Sequence, residues 1–394
     1  MKRACVALIF ASVLASCSPA EPEATGPEWG GSIEERDGVT WVVNPSEAWW
    51  DGDSEPFTLR LDRSFGNDET GPEAGLLNAV MGAAVDAEGN VYTVDSWKHR
   101  MVAFAADGTF RWSQETEGEG PGDLSHPYNA AWDGGDRIYI DNQNGGRIDW
   151  WTLDGTFAGT QPLSDFGLGQ SMLFGFLDPG RVVLGERLPG RDGVGLRVFA
   201  VSDTGWEPLS SFEASGGRDA TEEAWGGWLT SARVSDGSIF AGHAMDYQLA
   251  RYSATGDLET VWTRPIPTLL PPISYRGTGT NFGEYEAPLR LPSGHYLVHH
   301  QRLEGFESHD DYRLEWDQYL ESGGNEAFRS RIAALDLLDA EGRYLGSVAF
   351  EEVERILDVG PDGYLYTARF EPVVELRRYE IILAPELARG AETS

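Results

Sequence analysis

The stretch that decides the fold is residues 82–110, which read GAAVDAEGNVYTVDSWKHRMVAFAADGTF. Short runs of small, β-branched and aromatic residues alternate with turns rich in Asp, Asn and Gly. This pattern predicts four short antiparallel strands. Gly89 is free to adopt a positive φ and completes the first tight turn. One meander of this size cannot bury both of its faces, so it needs copies of itself to form a core.

Five further copies follow along the chain. The second ends in the same Asp-Gly-Thr-Phe turn as the first, at residues 154–157 and 107–110. The glycine of the first turn recurs in every copy, at Gly89, Gly135, Gly180, Gly237, Gly294 and Gly363. The spacing grows from about 45 to about 70 residues, which is typical of sheet blades that carry loop insertions.

The sixth copy lacks a fourth strand, whereas residues 57–65 form an unpaired strand upstream of the first copy. Pairing these two ends of the chain would close the ring and remove the open edge that an all-β protein must otherwise protect. The sequence therefore predicts an all-β, six-bladed β-propeller of four-stranded antiparallel blades, closed by an N-terminal strand. Residues 38–45 form a further predicted strand, which we expect to flank the closing strand outside the last blade.

Two motifs of the first copies resemble NHL repeats. Residues 118–127, GEGPGDLSHP, are similar to the glycine-proline linker of that family. Residues 95–104, DSWKHRMVAF, are similar to its Asp…Asn-His-Arg-Ile-x-Val-Phe core, with Lys98 in place of Asn. The similarity covers residues 57–160 and is loose beyond them. The chain thus resembles six-bladed NHL-type propeller lipoproteins of bacteria, which implies the fold and says little about activity.

The N terminus resembles a bacterial lipoprotein signal. A short basic start precedes an apolar run that ends in Leu-Ala-Ser-Cys at Cys17. We expect residues 1–16 to be a signal peptide, residues 17–37 to be the lipidated Cys and a flexible tether, and residues 38–394 to be the propeller domain. The alternative is an ordinary secretory signal cut nearby. The expected location is the bacterial cell envelope, anchored through lipid at the outer membrane on its periplasmic or surface side.

Charge excludes one class of partner. The formal net charge is -34, and Lys2 and Lys98 are the two lysines among 30 basic residues. Nucleic acid is not an expected partner, because phosphate binding needs the opposite sign. Direct binding to anionic lipid head groups is disfavoured for the same reason, so the lipid anchor is the expected membrane contact.

The insertions predict one functional face. In each blade the connection between the second and third strands and the link to the next blade lie on one face, here called the connection face, and the tight turns lie on the opposite turn face. The long insertions fall on the connection face and carry aromatic residues among acidic ones. Those singled out as candidate anchors for a protein, peptide or glycan ligand are Trp97, Trp225, Trp228, Tyr312 and Trp316. The alternative is that these rings form small satellite cores beneath the long loops.

A second candidate site is a ring of polar residues at the ends of the second strands. It comprises Asp95, Asp141, Glu186, His243 and His299. If these side chains meet around the axis, the carboxylates suit Ca²⁺ and the imidazoles suit Zn²⁺. The alternative is structural: Asp95 caps its own turn and pairs with Arg100, and Asp141 does likewise with Arg147.

Two functional hypotheses follow. The first is a membrane-tethered, non-catalytic binding or scaffold propeller that engages its ligand through the connection face. The second is a metal-dependent hydrolase or lyase, similar to the lactonases among six-bladed propellers, that uses the axial channel. The sequence contains no G-x-S-x-G, H-E-x-x-H or phosphate-loop motif, and the first hypothesis is therefore favoured.

Overall fold

Six sheets form the blades of a β-propeller, each built on four antiparallel strands, and two further strands extend one of them. The computed structural model describes residues 29–50, 54–68, 70–169, 171–187, 194–202, 205–214, 229–243, 247–266, 287–303, 331–350, 354–370 and 372–390. These residues are almost entirely strands and turns. The predicted fold class is confirmed.

The blades are numbered along the chain, and the strands of each are given from the channel outwards. Blade 1 contains β4 (Val80–Val85), β5 (Val91–Asp95), β6 (Arg100–Phe104) and β7 (Phe110–Gln114). Blade 2 contains β8 (Pro127–Trp132), β9 (Arg137–Asn142), β10 (Arg147–Thr152) and β11 (Phe157–Pro162). Blade 3 contains β12 (Ser171–Asp178), β13 (Arg181–Arg187), β14 (Val194–Ser202) and β15 (Gly205–Ala214).

Blade 4 contains β16 (Leu229–Ser235), β17 (Ser238–His243), β18 (Gln248–Tyr252) and β19 (Leu258–Thr263). Blade 5 contains β20 (Leu289–Arg290), β21 (Tyr296–Leu303), β22 (Arg331–Leu338) and β23 (Tyr344–Phe350). Blade 6 contains β24 (Arg355–Val359), β25 (Leu365–Arg369), β26 (Glu375–Leu383) and β3 (Phe57–Phe65). Three 3₁₀ turns (Glu73–Gly75, Ser96–Lys98 and Leu163–Phe166) and one helix, α1 (Pro385–Gly390), complete the described elements.

Aspartate side chains shape the turns of the turn face. The Asp86 carboxylate accepts hydrogen bonds from the backbone N–H groups of Glu88 and Asn90, at 3.0 and 2.9 Å. Gly89 has a φ of 78°, as the turn prediction requires. Asp133 of blade 2 repeats this pattern, since it accepts from the backbone N–H of Gly135 at 2.7 Å.

The ring is closed as predicted. β3 pairs antiparallel with β26, from Phe57 opposite Leu383 to Phe65 opposite Leu376. Both phenylalanines are buried, and they lie in the clusters on the two sides of blade 6. The first and last parts of the chain therefore hold each other in place within one blade.

The prediction for residues 38–45 is wrong in one respect. This segment contains a strand, β2 (Val39–Val43), but it pairs parallel with β19 of blade 4 rather than beside the closing strand in blade 6. β1 (Ser32–Arg36), which was expected to be part of the flexible tether, completes a hairpin with β2 and makes blade 4 six-stranded. The physical reason is burial: Val42 packs against Trp262 in the core between blades 4 and 5.

The segment between β2 and β3 acts as a strap across blades 4, 5 and 6. The buried Asn44 donates to the Gly342 carbonyl at 2.9 Å and accepts from the backbone N–H of Tyr344 at 2.6 Å. Its own backbone N–H donates to the carbonyl of Thr263 in blade 4. Farther along, the backbone N–H of Trp50 donates to the Leu345 carbonyl at 2.8 Å. The strap thus joins the outer edges of two blades before it becomes the fourth strand of a third.

The core consists of six apolar clusters, one at each interface between neighbouring blades. The arrangement follows from alternation, since successive side chains of a strand point to opposite faces of its sheet. In β5, for example, Val91 packs towards blade 6 and Tyr92 towards blade 2. Each blade is therefore apolar on both faces, which is why one copy alone could not form a core.

Candidate functional site in the axial channel

The inner strands enclose a channel of about 880 Å³. Its wall is formed by β4, β8, β12, β16, β20 and β24 together with residues that flank them. Each of these strands is the terminal strand of its sheet, so it presents an edge to the channel. A volume of this size matches pockets that hold small organic ligands.

Two ion pairs link blades at the turn-face end of the channel. Arg233 of β16 lies with its Nη1 atom 3.0 Å from Oδ1 of Asp358 in blade 6. Arg290 of β20 donates to the carboxylate of Asp236 and, at 3.0 Å, to the hydroxyl of Tyr296. Water reaches Asp358, yet the surrounding protein raises the pKa of its carboxyl group, an effect that the Arg233 guanidinium partly offsets.

A third arginine lies at the connection-face end. Arg355 is the first residue of β24, and its guanidinium carbon lies 5.4 Å from the centre of the Tyr128 ring. Its Nη1 atom is 3.6 Å from the sulfur of Met81. The side chain thus spans from blade 6 to residues of blades 1 and 2, and a guanidinium on an aromatic face is a favourable arrangement.

Of the predicted ring residues, the four whose side chains are described do not line this channel: Asp95, Asp141, Glu186 and His299. Asp95 is fully buried at the end of β5, where its carboxylate accepts from the backbone N–H groups of Asn78 and Ala79 at 3.0 and 3.1 Å. It also pairs with Arg100 at 3.2 Å. The structural alternative is thus right about the pairing with Arg100 but wrong about the cap, since the Asp95 side chain makes no capping hydrogen bond to its own turn and instead fixes the incoming connection of blade 1.

Asp141 occupies a different position from Asp95. The residue of blade 2 that matches Asp95 in register is Asn142, because Asn142 is opposite Arg147 as Asp95 is opposite Arg100. Asn142 accepts from the backbone N–H of Ser125 at 2.8 Å. The expected pairing of Asp141 with Arg147 is wrong, since Arg147 pairs with Asp149 at 2.8 Å.

The Asp141 side chain instead points between blades 2 and 3. It is completely buried, and neither carboxylate oxygen makes a well-formed hydrogen bond within the described residues. Burial raises the pKa of Asp141 to about 8, although the Leu173 amide and the Gln143 side chain offset part of the effect. At neutral pH this carboxyl group is therefore mostly protonated.

Glu186, His299 and His300 lie at further interfaces between blades. Glu186 accepts from Arg197 at 2.8 Å, and Arg197 in turn donates to the Phe166 carbonyl of the incoming connection. His299 is buried, and neither ring nitrogen has a hydrogen-bond partner within the described residues. Burial, together with the neighbouring His300, lowers the pKa of His299 to about 3, so the ring is neutral. The His300 Nε2 atom lies 3.1 Å from the carboxylate of Asp336.

The ring was mispredicted for a geometrical reason. The second strands stand one position outside the channel, and their side chains project perpendicular to the blade, towards a neighbouring blade rather than the axis. The residues consequently lie in separate interfaces, and the His243 side chain lies outside the described part of the chain. Within the described residues no group of three or more His, Cys, Asp or Glu could hold a metal ion. Metal binding itself stays an untested prediction.

One of the five candidate aromatic residues can be placed. Trp97 lies on the 3₁₀ turn Ser96–Lys98 of the connection face with 76% of its surface exposed. Phe370, on the same face of the adjacent blade 6, is 40% exposed. The remaining candidates, and the lipidation site, fall outside the described residues: Trp225, Trp228, Tyr312, Trp316 and Cys17.

The channel arginines were missed by the sequence analysis, although a signal was present. The inner strands of blades 1 and 2 carry Ala-Ala pairs, whereas those of blades 4, 5 and 6 each contain an arginine: Arg233, Arg290 and Arg355. A charged residue within a short apolar strand next to the axis indicates either a partner or a ligand.

Comparisons with known proteins support the fold. No protein-family model matches the chain, and no curated protein does. The chain is similar in structure to a member of the DUF4221 family from Bacteroides vulgatus (12% identity, TM-score 0.52, covering 84% of this chain and 99% of that one). It is also similar to a Bacteroides fragilis protein described as exported (11% identity, TM-score 0.54, covering 88% and 100%).

Virginiamycin B lyase from Staphylococcus aureus also matches, at 11% identity and a TM-score of 0.44, covering 83% of this chain and 100% of that one. At such low sequence identities the first two similarities indicate a shared fold only. The third is too weak to support any conclusion about this protein. Among the described residues, no helix is both long and apolar enough to cross a membrane.

Proposed function

We propose that this protein is a lipid-anchored, non-catalytic binding propeller outside the cytoplasm, which holds a small ligand or the end of a larger one in its axial channel. The observation that carries the proposal is the channel itself: six strand edges enclose about 880 Å³, with arginines at both ends. Pockets of this size commonly hold small organic ligands.

The chemistry of the wall favours binding over catalysis. The titratable side chains among the described lining residues are arginine, aspartate and tyrosine. The two aspartates are each held by an arginine of another blade, which leaves them poorly placed to act as general bases. The lactonase-like alternative requires a converging metal centre, and the placement of Asp95, Asp141, Glu186 and His299 gives it no support.

The expected location rests on two observations. The N-terminal sequence carries a lipobox-like Cys17, and a Bacteroides fragilis protein with this fold is described as exported. Fractionation tests the anchor. Cys17→Ser should move the protein from the membrane pellet to the soluble fraction, whereas Cys5→Ser, within the signal peptide, should leave it in the pellet. A Cys17→Ser protein that remains in the pellet would contradict lipid anchoring.

Binding is tested by thermal unfolding of the purified full chain against a library of organic acids, neutral sugars and short peptides. A ligand of the native state raises Tm with its concentration, by mass action. We expect at least one chemical class to give a saturable shift. The absence of any saturable shift, or steady turnover of a lactone or ester substrate, would overturn the proposal.

A further inference from the structure

The rim of the channel carries an exposed tryptophan on the connection face. Trp97 is the central residue of the 3₁₀ turn Ser96–Lys98, and 76% of its surface is exposed. The backbone N–H of Ser96 donates to the Ala79 carbonyl at 3.0 Å, and the Ser96 hydroxyl donates to the Pro127 carbonyl. Ala79 immediately precedes β4 and Pro127 begins β8, so the turn is fastened to the first ends of two inner strands. Trp97 is therefore held beside the connection-face opening of the channel.

The channel wall presents backbone groups along much of its length. Apolar lining residues such as Ala83, Leu173 and Leu357 belong to the clusters between blades, so their side chains pack there rather than in the channel. Each inner strand is the terminal strand of its sheet, and the edge of an antiparallel strand carries N–H and C=O groups. Asn129 of β8 bonds one such group, the Leu173 carbonyl of β12, at 3.0 Å. The wall thus offers both donors and acceptors to a polar ligand.

The charged side chains at the turn-face end are already paired. Arg233 lies 3.0 Å from Asp358, and Arg290 donates to the carboxylate of Asp236. Each pair carries no net charge, so a ligand that contacts it needs no charge of its own. An anion would have to compete with the aspartates, and it would also have to approach a chain whose formal net charge is -34. These features favour a neutral ligand.

The inner strands lack the regular edge that a peptide ligand would need if it paired as an added strand. Each of them except β20 shifts its register against the second strand of its blade, for example between Val80 and Gly82 in β4. β20 contains two residues. A register shift leaves a residue unpaired and bends the strand, which makes these edges poor templates for a further strand. Hydroxyl groups, which both donate and accept, do not require such regularity.

We infer that the protein binds a neutral oligosaccharide, one end of which enters the axial channel from the connection face while a following sugar ring stacks on Trp97. This inference rests on the proposed binding function and names the class of its ligand. A sugar ring has an apolar C–H face that packs on an aromatic ring, and its hydroxyl groups donate and accept hydrogen bonds. Trp97 supplies the apolar contact, and the strand edges supply the hydrogen-bond partners.

A printed array of neutral glycans and their sialylated or sulfated counterparts, probed with the full chain, tests the ligand class. We expect a subset of the neutral glycans to bind, with signals at least tenfold above those of their acidic counterparts. The absence of binding to any neutral glycan, or binding confined to acidic glycans, would overturn the inference. A saturable Tm shift with peptides or organic acids in the library experiment would then leave the proposed binding function standing.

Substitutions and hydrogen exchange locate the site for the glycan with the strongest array signal. In calorimetric titration Trp97→Ala should weaken its binding at least tenfold, and Trp97→Phe, which keeps an aromatic ring, should give an intermediate affinity. Leu209→Ala, at a position on the outer strand β15 that is 52% exposed, is the control and should change nothing. Circular dichroism verifies that the variants are folded.

The same glycan should slow hydrogen exchange in the inner strands β4 and β8, whose first ends hold the turn of Trp97. Unchanged affinity in Trp97→Ala would show that the sugar does not stack on this ring. Exchange that is slowed on the connection face alone would show that it does not enter the channel. Either result would overturn the inference, while the library experiment still decides the proposed function.

Discussion

Arg233 of blade 4 and Asp358 of blade 6 form an ion pair across the channel, at 3.0 Å, although blade 5 stands between them in the ring. The pair ties together two blades that share no sheet edge, and it narrows the channel at the turn face.

The coupling between these two residues should be small. Because 39% of the Asp358 side chain is exposed, solvent screens the attraction, and we expect a coupling free energy of about 0.5–1 kcal/mol. A double-mutant cycle with Arg233→Gln and Asp358→Asn, measured by urea unfolding, gives this value. A coupling several times larger would indicate that the pair is a main structural link rather than part of a binding surface.

Asp95 should be far more important for stability than an exposed turn aspartate. Asp95→Ala removes the acceptor of two backbone N–H groups and one of the two carboxylates that pair with the buried Arg100, so we expect a loss of about 3–5 kcal/mol. Asp154→Ala, in the solvent-exposed turn of blade 2, is the control and should change stability little. Equal effects of the two substitutions on the urea midpoint would contradict the structural role of Asp95.

Asp141 should make stability depend on pH. Its carboxyl has a pKa near 8 in the folded protein against 3.8 ordinarily, so the folded state binds the proton more tightly. This contribution is fully present below pH 4 and is lost as the pH rises towards 8, by at most about 1.4 kcal/mol per pH unit. Asp141→Asn removes the ionisation, and its stability relative to the wild type should rise from pH 4 to pH 8 in urea unfolding.

The control for this pH effect is the substitution Asp154→Asn. In the wild-type protein, hydrogen bonds from the Thr152 side chain and the Thr156 backbone hold the pKa of the Asp154 carboxyl below its ordinary value. The variant should show no gain between pH 4 and pH 8. If Asp141→Asn and wild type lose stability in parallel over this range, then Asp141 is ionised in the folded state and the assigned environment is wrong.

Asn44 should fasten the N-terminal strap. Asn44→Ala leaves the buried Gly342 carbonyl and the Tyr344 backbone N–H without their partner, so we expect a loss of about 2–3 kcal/mol. Asn144→Ala, at an exposed position between β9 and β10, is the matched control and should cost less than about 0.5 kcal/mol. Equal free energies of unfolding for Asn44→Ala and Asn144→Ala would show that the strap contributes little to stability.

Much of the fold could be predicted because it is determined by short sequence patterns that repeat along the chain. The glycine turns at Gly89 and Gly237 and the alternation of the strands repeat in each copy, and the missing fourth strand required a partner elsewhere. The sheet that β2 joins could not be predicted in this way. Its pairing with β19 depends on a contact between Val42 and Trp262, which are distant in sequence and follow no repeat.

The candidate site was harder to predict than the fold. Polar residues at strand ends suggested a ring, but the register of one residue decides which neighbouring blade a side chain faces. Asp141 and Asn142 show the effect, since the first is buried without a well-formed hydrogen bond and the second holds the incoming connection of its blade. The arginines of the channel required knowledge of which strands are innermost.

The most direct test of ligand binding in the axial channel is hydrogen exchange of the full chain with and without a ligand that raises Tm. A ligand in the channel should slow exchange in the inner strands, above all in β8 and β24, which carry Tyr128 and Arg355. Slowed exchange confined to the outer strands or to the β1–β2 hairpin would contradict the account and place the binding site elsewhere on the propeller.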